Sequence, residues 1–193
     1  MSQNPPLDRH TYIANLKGGI MIFKKIIKRS INSFEKKTGY DTSYMREMAD
    51  VSPLLAFQFS KFIKLNNYRR ETPRDEMFIA KIAAMKTEDC GTCLQLNINF
   101  ALWEGMNKQY VVDAVQKPEN LPKNLKLIYD FSHKVATNSE DIEKLSEKVE
   151  SLYGRDVLVE LSVAIATTRV YPAIKRGLGY AKSCSLIDFE FGK

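Results

Sequence analysis

The class of fold is decided by residues 74–105, RDEMFIAKIAAMKTEDCGTCLQLNINFALWEG. Two stretches within it, residues 74–85 and 90–104, carry apolar side chains at helical spacing. A polar turn over residues 86–89 separates them, and the second stretch opens on Cys90-Gly91-Thr92-Cys93. This arrangement predicts two helices joined by a short turn, with a cysteine pair at the start of the second helix.

Helical periodicity continues on both sides of this segment, with little strand-like alternation. The other predicted helices are a basic amphipathic helix over Ile13–Lys37, a short one after Asp41–Ser43, one opened by Pro53, and three over Leu121–Thr137, Ser139–Tyr153 and Arg155–Leu178. Pro172 is expected to kink or shorten the last of these. We predict an all-α chain in two parts. Residues 1–49 form a flexible lead (residues 1–12) and the basic helix, and residues 50–193 form one helical domain.

Composition excludes several classes of protein. Hydrophobic residues make up 44% of the 193 residues, which is enough for a substantial core. The 29 basic and 23 acidic side chains are spread along the chain without a base-reading motif, so we expect no nucleic-acid partner. The polar start, the absence of a long apolar run and the three cysteines predict a cytoplasmic protein. The basic helix is interpreted as docked on the core or on another subunit, with a membrane surface as the alternative.

The spacing of Cys90 and Cys93 places two sulfurs within one helical turn, where they can close a disulfide. Redox chemistry is the favoured interpretation of this pair in a reducing compartment. A pair of ordinary buried cysteines is one alternative. A zinc half-site is another, but only Cys184, His10 and His133 remain as further ligands, in no metal-binding spacing. We therefore expect no cofactor and no metal.

The helix start bears on the reactivity of the pair. Asp89 is predicted to cap the helix, which places both cysteines in its first turn, where unpaired N–H groups and the helix dipole favour a thiolate. The negative charges of Glu88 and Asp89 oppose thiolate formation. Further along the same helix, Leu96, Phe100 and Trp103 form a stripe that is interpreted as core packing.

The order of several motifs resembles the alkylhydroperoxidase D-like branch of the carboxymuconolactone decarboxylase family, over roughly residues 50–180. The matching features are Arg74-Asp75-Glu76 before an apolar helix, a short turn, the CxxC, a helix ending Ala101-Leu102-Trp103-Glu104-Gly105, the stretch Asn107–Val115, Leu152-Tyr153-Gly154, and Val159-Glu160-Leu161 before a long apolar helix. The resemblance implies an all-helical fold that assembles into trimers or hexamers. It also implies a dithiol cycle in which Cys93 attacks a hydroperoxide, Cys90 resolves the sulfenic acid, and Glu76 relays protons.

The chain departs from the family pattern at three places. Asn97 stands where the family has a histidine four residues after the second cysteine, and Thr92 stands where some members have one between the cysteines. An amide cannot shuttle protons near neutral pH as an imidazole does. Glu76 also lies two residues further from Cys90 than the family's glutamate, so Glu88 is an alternative acid or base.

We expect a thiol-dependent antioxidant oxidoreductase that reduces organic hydroperoxides through a cycle between the CxxC dithiol and its disulfide, with an unidentified thiol as reductant. One alternative is a dithiol-disulfide oxidoreductase without peroxidase activity. The other is a non-catalytic oligomeric scaffold or binding protein of the same fold.

Overall fold

The computed structural model describes residues 9–184 and 188–192, with side chains from residue 19 onward. These residues form α-helices and one short 3₁₀ turn, and no β-strand occurs among them. The all-α prediction is therefore confirmed. Residues 1–8 of the predicted flexible lead lie outside the described residues. Residues 9–12 are helical, so the predicted lead was too long.

The chain divides into two compact units, Met1–Ser60 and Lys61–Lys193. The first unit contains α1 (Arg9–Thr38), α2 (Ser43–Val51) and the start of α3 (Pro53–Asn66). Helix α1 packs against α2, where Lys24 and Lys28 both reach the carboxylate of Asp50, at 2.7 and 3.0 Å.

The second unit is built around one central helix. Its helices are α4 (Arg74–Lys86), α5 (Gly91–Trp103), α6 (Lys108–Gln116), α7 (Lys123–Thr137), α8 (Ile142–Tyr153), α9 (Arg155–Thr168) and α10 (Val170–Gly177), with the 3₁₀ turn at Pro118–Asn120. Every residue of α4 from Glu76 to Met85 is buried. A helix that is buried on all sides lies at the centre of its unit, and α4 packs against α5, α6, α7 and α9.

Helix α5 buries a different face from the one that its aromatic residues indicate. Its buried residues include Cys93, Leu94, Ile98 and Ala101. Trp103 is 54% exposed and makes an edge contact with the ring of Phe100, at a centroid distance of 5.6 Å. The interpretation of Leu96, Phe100 and Trp103 as a core stripe is therefore wrong for Trp103, because the wall of the core is made by the cysteine face of the helix.

The last predicted helix is broken as its proline suggested. Helix α9 ends at Thr168 and α10 begins at Val170, with Arg169 between them. Pro172 has no N–H to donate to the carbonyl of Thr168, so the regular hydrogen-bond ladder cannot pass this point.

By length and composition alone, the stretch Arg155–Gly177 could cross a membrane, contrary to the expectation that the chain has no apolar run of this length. Half of its most apolar window is buried within the protein, and core helices of soluble proteins meet the same criteria of length and composition.

Helix α9 also carries a buried carboxylate that holds the chain entering α4. Glu160 is 8% exposed and accepts hydrogen bonds from the backbone N–H groups of Arg70, Glu71 and Thr72, at 2.9 to 3.2 Å. The hydroxyl of Thr72 donates a further one at 2.7 Å. Glu160 thereby fixes the backbone just before α4, and with it the start of the helix that leads to the cysteine pair.

Candidate redox site

The cysteine pair lies at the N-terminus of α5, as predicted, and its two members are joined. Cys90 is the N-cap residue and Cys93 lies in the first turn. They form a disulfide with a Cα–Cα distance of 5.3 Å. Both side chains are buried, at 0% and 2% exposure. Both cysteines therefore lie at the N-terminal end of α5, where the positive end of the helix dipole favours a thiolate once the pair is reduced.

Asp89 does not cap α5, so that prediction is wrong. Its φ angle of +47° turns the chain just before the helix, and Cys90 takes the cap position. The carboxylate of Asp89 instead accepts the backbone N–H of Cys184 at 2.8 Å and the hydroxyl of Ser183 at 3.0 Å. These hydrogen bonds, with that from the Cys184 backbone the largest contribution, hold the pKa of Asp89 below its usual range.

The segment after α10 runs alongside α5 and is hydrogen-bonded to it. The carbonyl of Lys182 accepts the N–H of Gly91 at 2.9 Å, which satisfies one of the unpaired N–H groups of the α5 N-terminus. Farther on, the side-chain amide of Gln95 exchanges two hydrogen bonds with the backbone of Glu190, at 2.8 and 2.9 Å. The C-terminal residues therefore contribute to the burial of the cysteine face.

Cys184 places a third thiol beside Asp89. It is a free cysteine of intermediate exposure. Burial, together with the negative charge of Asp89, raises the pKa of the Cys184 thiol to about 11. This thiol is therefore protonated at neutral pH and is a poor nucleophile.

Glu88 forms ion pairs with two arginines near the C-terminal end of the chain. Its carboxylate is 8% exposed and accepts the Nε–H of Arg169 at 2.6 Å and a guanidinium N–H of Arg176 at 2.5 Å. Burial alone would raise the pKa of Glu88, but hydrogen bonds from Arg176 and Arg169 outweigh it and hold the pKa below the usual range. Such a carboxylate stays ionised at neutral pH. Its environment suits an anchor for α10 better than a carrier of protons.

Replacing Glu88 with glutamine is expected to lower the free energy of unfolding by about 1 to 2 kcal/mol at pH 7, because both ion pairs are lost. The folded-state pKa of Glu88 lies below the ordinary value of 4.5, so its contribution is present above that pH and disappears as the pH falls through the folded-state pKa. Urea unfolding at pH 7 and at pH 3 measures both effects.

The matched control for this variant is Glu150→Gln, which removes an exposed ion pair with Arg155. Its effect should stay within about 0.5 kcal/mol. Equal losses in the two variants would contradict the anchoring role of Glu88.

Glu76 lies in the first turn of α4, and its side chain is buried against α7 and α8. It accepts a hydrogen bond from the hydroxyl of Tyr153 at 2.9 Å and another from the amide of Asn124 at 3.3 Å. Burial, together with Glu76 itself, raises the pKa of Tyr153 to about 12. Glu76 and Lys86 lie near opposite ends of α4, about 15 Å apart along the helix axis. The chain turns toward the cysteines only after Lys86, so Glu76 lies at the end of α4 that is farther from them in the chain.

Asn97 is buried one turn after Cys93, on the same face of α5. Its side-chain amide donates a hydrogen bond of 3.0 Å to the backbone carbonyl of Cys93. The contact to the cysteine is therefore made through the main chain, inside the helix. An amide used in this way stabilises the turn that carries Cys93.

Sequence reasoning missed Lys175, which α10 brings to the cysteine pair. Its side chain is fully buried, and its ammonium donates a hydrogen bond of 2.9 Å to the hydroxyl of Thr92. That hydroxyl lies 3.8 Å from the sulfur of Cys90. The sequence carries no clear signal for this burial, because hydrophobicity alone places a lysine in solvent.

No group of three or more His, Cys, Asp or Glu side chains in the described part of the chain is arranged to hold a metal ion. The ring of His133, one of the zinc ligands considered, stacks on Tyr129 at a centroid distance of 6.3 Å.

Comparison of the chain with protein-family models, with curated proteins and with solved structures found no match in any of the three. The resemblance to the alkylhydroperoxidase D-like proteins therefore depends on the order of its motifs alone.

Proposed function

We propose that the chain is a dithiol oxidoreductase of the alkylhydroperoxidase D-like type, which reduces organic hydroperoxides through Cys90 and Cys93. The observation that carries this proposal is the pairing of these cysteines at the N-terminus of α5, with a Cα–Cα distance of 5.3 Å. A close pair at a helix start is suited to reversible closure, and the helix end favours the reactive thiolate.

The proposed cycle has two halves. One cysteine thiolate attacks the terminal oxygen of the hydroperoxide and the O–O bond breaks, which leaves a sulfenic acid on the enzyme. The alkoxide departs and takes up a proton to become the alcohol. The second thiol then displaces water and closes the disulfide, so the hydroperoxide gains the two electrons that the dithiol loses. Two equivalents of an external thiol reopen the pair and leave as their own disulfide.

The burial of the pair favours an apolar substrate over a charged one. Both sulfurs are buried, and Leu94 and Ile98 are buried apolar residues of the same helix. These apolar side chains suit an organic hydroperoxide better than a highly polar oxidant, while Thr92 adds a polar group beside Cys90. Its approach requires local opening, since neither sulfur is exposed as the protein stands.

The test is consumption of cumene hydroperoxide by the reduced full-length protein, with excess dithiothreitol as the reductant. Peroxide loss that exceeds the enzyme concentration many times over is expected. Reduction of a small disulfide without peroxide consumption would replace the peroxidase by a dithiol-disulfide oxidoreductase. Failure with both substrates would overturn the proposal and leave the non-catalytic scaffold.

The scaffold alternative is favoured by Asn97, whose amide donates a hydrogen bond to the carbonyl of Cys93 and cannot relay protons.

If the missing imidazole limits the peroxidase, Asn97→His should raise the rate of hydroperoxide reduction by about tenfold or more. Initial rates measured between pH 6 and 8 check this. Asn97→Gln, which lengthens the side chain without adding a proton carrier, is the control and should give no increase. An unchanged rate in Asn97→His would contradict a limiting role for the relay.

Two partners complete the proposal. We propose a homo-oligomer, a trimer or a hexamer, as the family resemblance implies, and a cytoplasmic location, as the polar start and the few cysteines predict. We also propose that α1 allows contact with an anionic membrane surface, because it exposes Ile22 and Ile26 beside Lys25 and Arg29.

A further inference from the structure

Lys175, on α10, is a lysine buried inside the second unit. Its side chain has no exposure to solvent, although its neighbours Arg176 and Gly177 on α10 are exposed. Burial of an ammonium is costly unless polar groups surround it. One such group is the hydroxyl of Thr92, and a chain of contacts runs from Lys175 Nζ to Thr92 Oγ1 to Cys90 Sγ, with steps of 2.9 and 3.8 Å.

The direction of these contacts matters. The ammonium has only donors, so it donates to the oxygen of Thr92 and leaves the threonine hydroxyl proton to be donated elsewhere. The sulfur of Cys90 is within the range of a hydrogen bond to sulfur, and a thiolate is a better acceptor than a thiol or a disulfide. The arrangement therefore gains most when Cys90 carries the negative charge.

Two carboxylates in the turn before Cys90 are each engaged by other partners. Glu88, in the turn before Cys90, is neutralised by Arg169 and Arg176. The carboxylate of Asp89 is occupied by the backbone N–H of Cys184 and the hydroxyl of Ser183.

Among the described residues of the neighbouring segments are two further lysines and a thiol. The ammonium of Lys86, at the end of α4, donates to the carbonyl of Val115 at 2.7 Å. Lys182 contributes its carbonyl, and Cys184 stays a neutral thiol at neutral pH.

We propose that Lys175, acting through the hydroxyl of Thr92, holds Cys90 as the thiolate of the reduced pair, and that Cys90 is therefore the attacking cysteine. This inference rests on the proposed dithiol function and reverses the roles that the family resemblance implies, in which Cys93 attacks. Lys175 is a positioning residue, since it reaches the sulfur through Thr92.

The proton balance of the cycle changes accordingly. Reduction of the Cys90–Cys93 disulfide by two molecules of a small thiol gives the Cys90 thiolate, the Cys93 thiol, one small disulfide and one released proton. On oxidation by a hydroperoxide, the Cys90 thiolate attacks the terminal oxygen, the alkoxide leaves and takes up a proton, and Cys90 becomes a sulfenic acid. Cys93 then loses its proton and attacks the sulfur of Cys90, and the hydroxyl leaves as water.

The experiment follows thiolate absorbance at 240 nm during a pH titration of the reduced full-length protein. A Cys93→Ser, Cys184→Ser background reports Cys90 alone, and a Cys90→Ser, Cys184→Ser background reports Cys93 alone. The Cys90 midpoint is expected to be the lower of the two. Adding Lys175→Met should raise the Cys90 midpoint by about one pH unit, which is about a tenfold loss of thiolate at neutral pH.

Two further variants keep the result interpretable. Thr92→Val removes the intermediate hydroxyl and should also raise the Cys90 midpoint, even if Lys175→Met does not fold by circular dichroism. Lys182→Met removes a nearby cation that contributes only its carbonyl to the site, and should leave the midpoint unchanged.

An unchanged Cys90 midpoint in folded Lys175→Met or in Thr92→Val would overturn the inference, as would a lower midpoint for Cys93 than for Cys90. Because the absorbance needs no substrate, failure of this inference is distinguishable from failure of the proposed function, which turnover measures.

Discussion

Replacing Cys93 with serine is expected to abolish hydroperoxide turnover, with a loss of at least about a hundredfold in the steady-state rate. A serine oxygen cannot close the disulfide that is formed between positions 90 and 93, so the dithiol cycle cannot be completed. Cys90→Ser should stop turnover equally. Peroxide consumption in the presence of dithiothreitol measures both variants against the unmodified protein.

Cys184→Ser is the matched control, because this third thiol lies near Asp89 but outside the pair. It should retain the rate of the unmodified protein. Turnover that survives in Cys93→Ser would contradict a dithiol cycle between Cys90 and Cys93. Loss of turnover in Cys184→Ser alone would show that turnover depends on Cys184 and not on the Cys90–Cys93 pair.

Glu160→Ala is expected to reduce the free energy of unfolding by about 2 to 3 kcal/mol at pH 7. The substitution removes the acceptor of three backbone N–H groups, of which that of Thr72 is buried. Arg70 and Glu71 are exposed, so their N–H groups can bind water instead, and this limits the loss. Denaturant unfolding followed by circular dichroism measures the change.

The same carboxylate makes stability depend on pH in a defined direction. Burial alone would raise the pKa of Glu160, but hydrogen bonds from Thr72, Glu71 and Arg70 outweigh it and hold the pKa below the ordinary value of 4.5. The stabilisation is therefore present above pH 4.5 and is lost as the pH falls through the folded-state pKa. The difference between the unmodified protein and Glu160→Ala should shrink accordingly in acid.

Glu147→Ala on α8 is the control, since Glu147 is exposed, and its effect should stay within about 0.5 kcal/mol. If Glu160→Ala cost no more than Glu147→Ala, the proposed hold of Glu160 on the start of α4 would be contradicted.

Local features of this chain could be predicted from its sequence. Helical periodicity places α4 and α5, and the cysteine spacing of three residues places both sulfurs at one helix end. Pro172 predicts the break between α9 and α10 because the effect of a proline on the ladder acts within one turn. Each of these predictions depends on residues that are neighbours in the chain.

Contacts between distant residues could not be predicted in this way. Arg169 and Arg176 reach Glu88 across 81 and 88 residues, and Lys175 reaches Thr92 across 83. A single sequence does not state which lysine is buried, and hydrophobicity alone places Lys175 in solvent. The cap prediction for Asp89 failed for the same reason, since its carboxylate binds Cys184, 95 residues later.

The most direct measurement is an intact-mass titration of the fully reduced protein with an organic hydroperoxide. We predict rapid loss of two hydrogens at near-stoichiometric peroxide, mapped by digestion to a Cys90–Cys93 disulfide. Thiols that remain reduced at that peroxide concentration would contradict a peroxidase based on this pair.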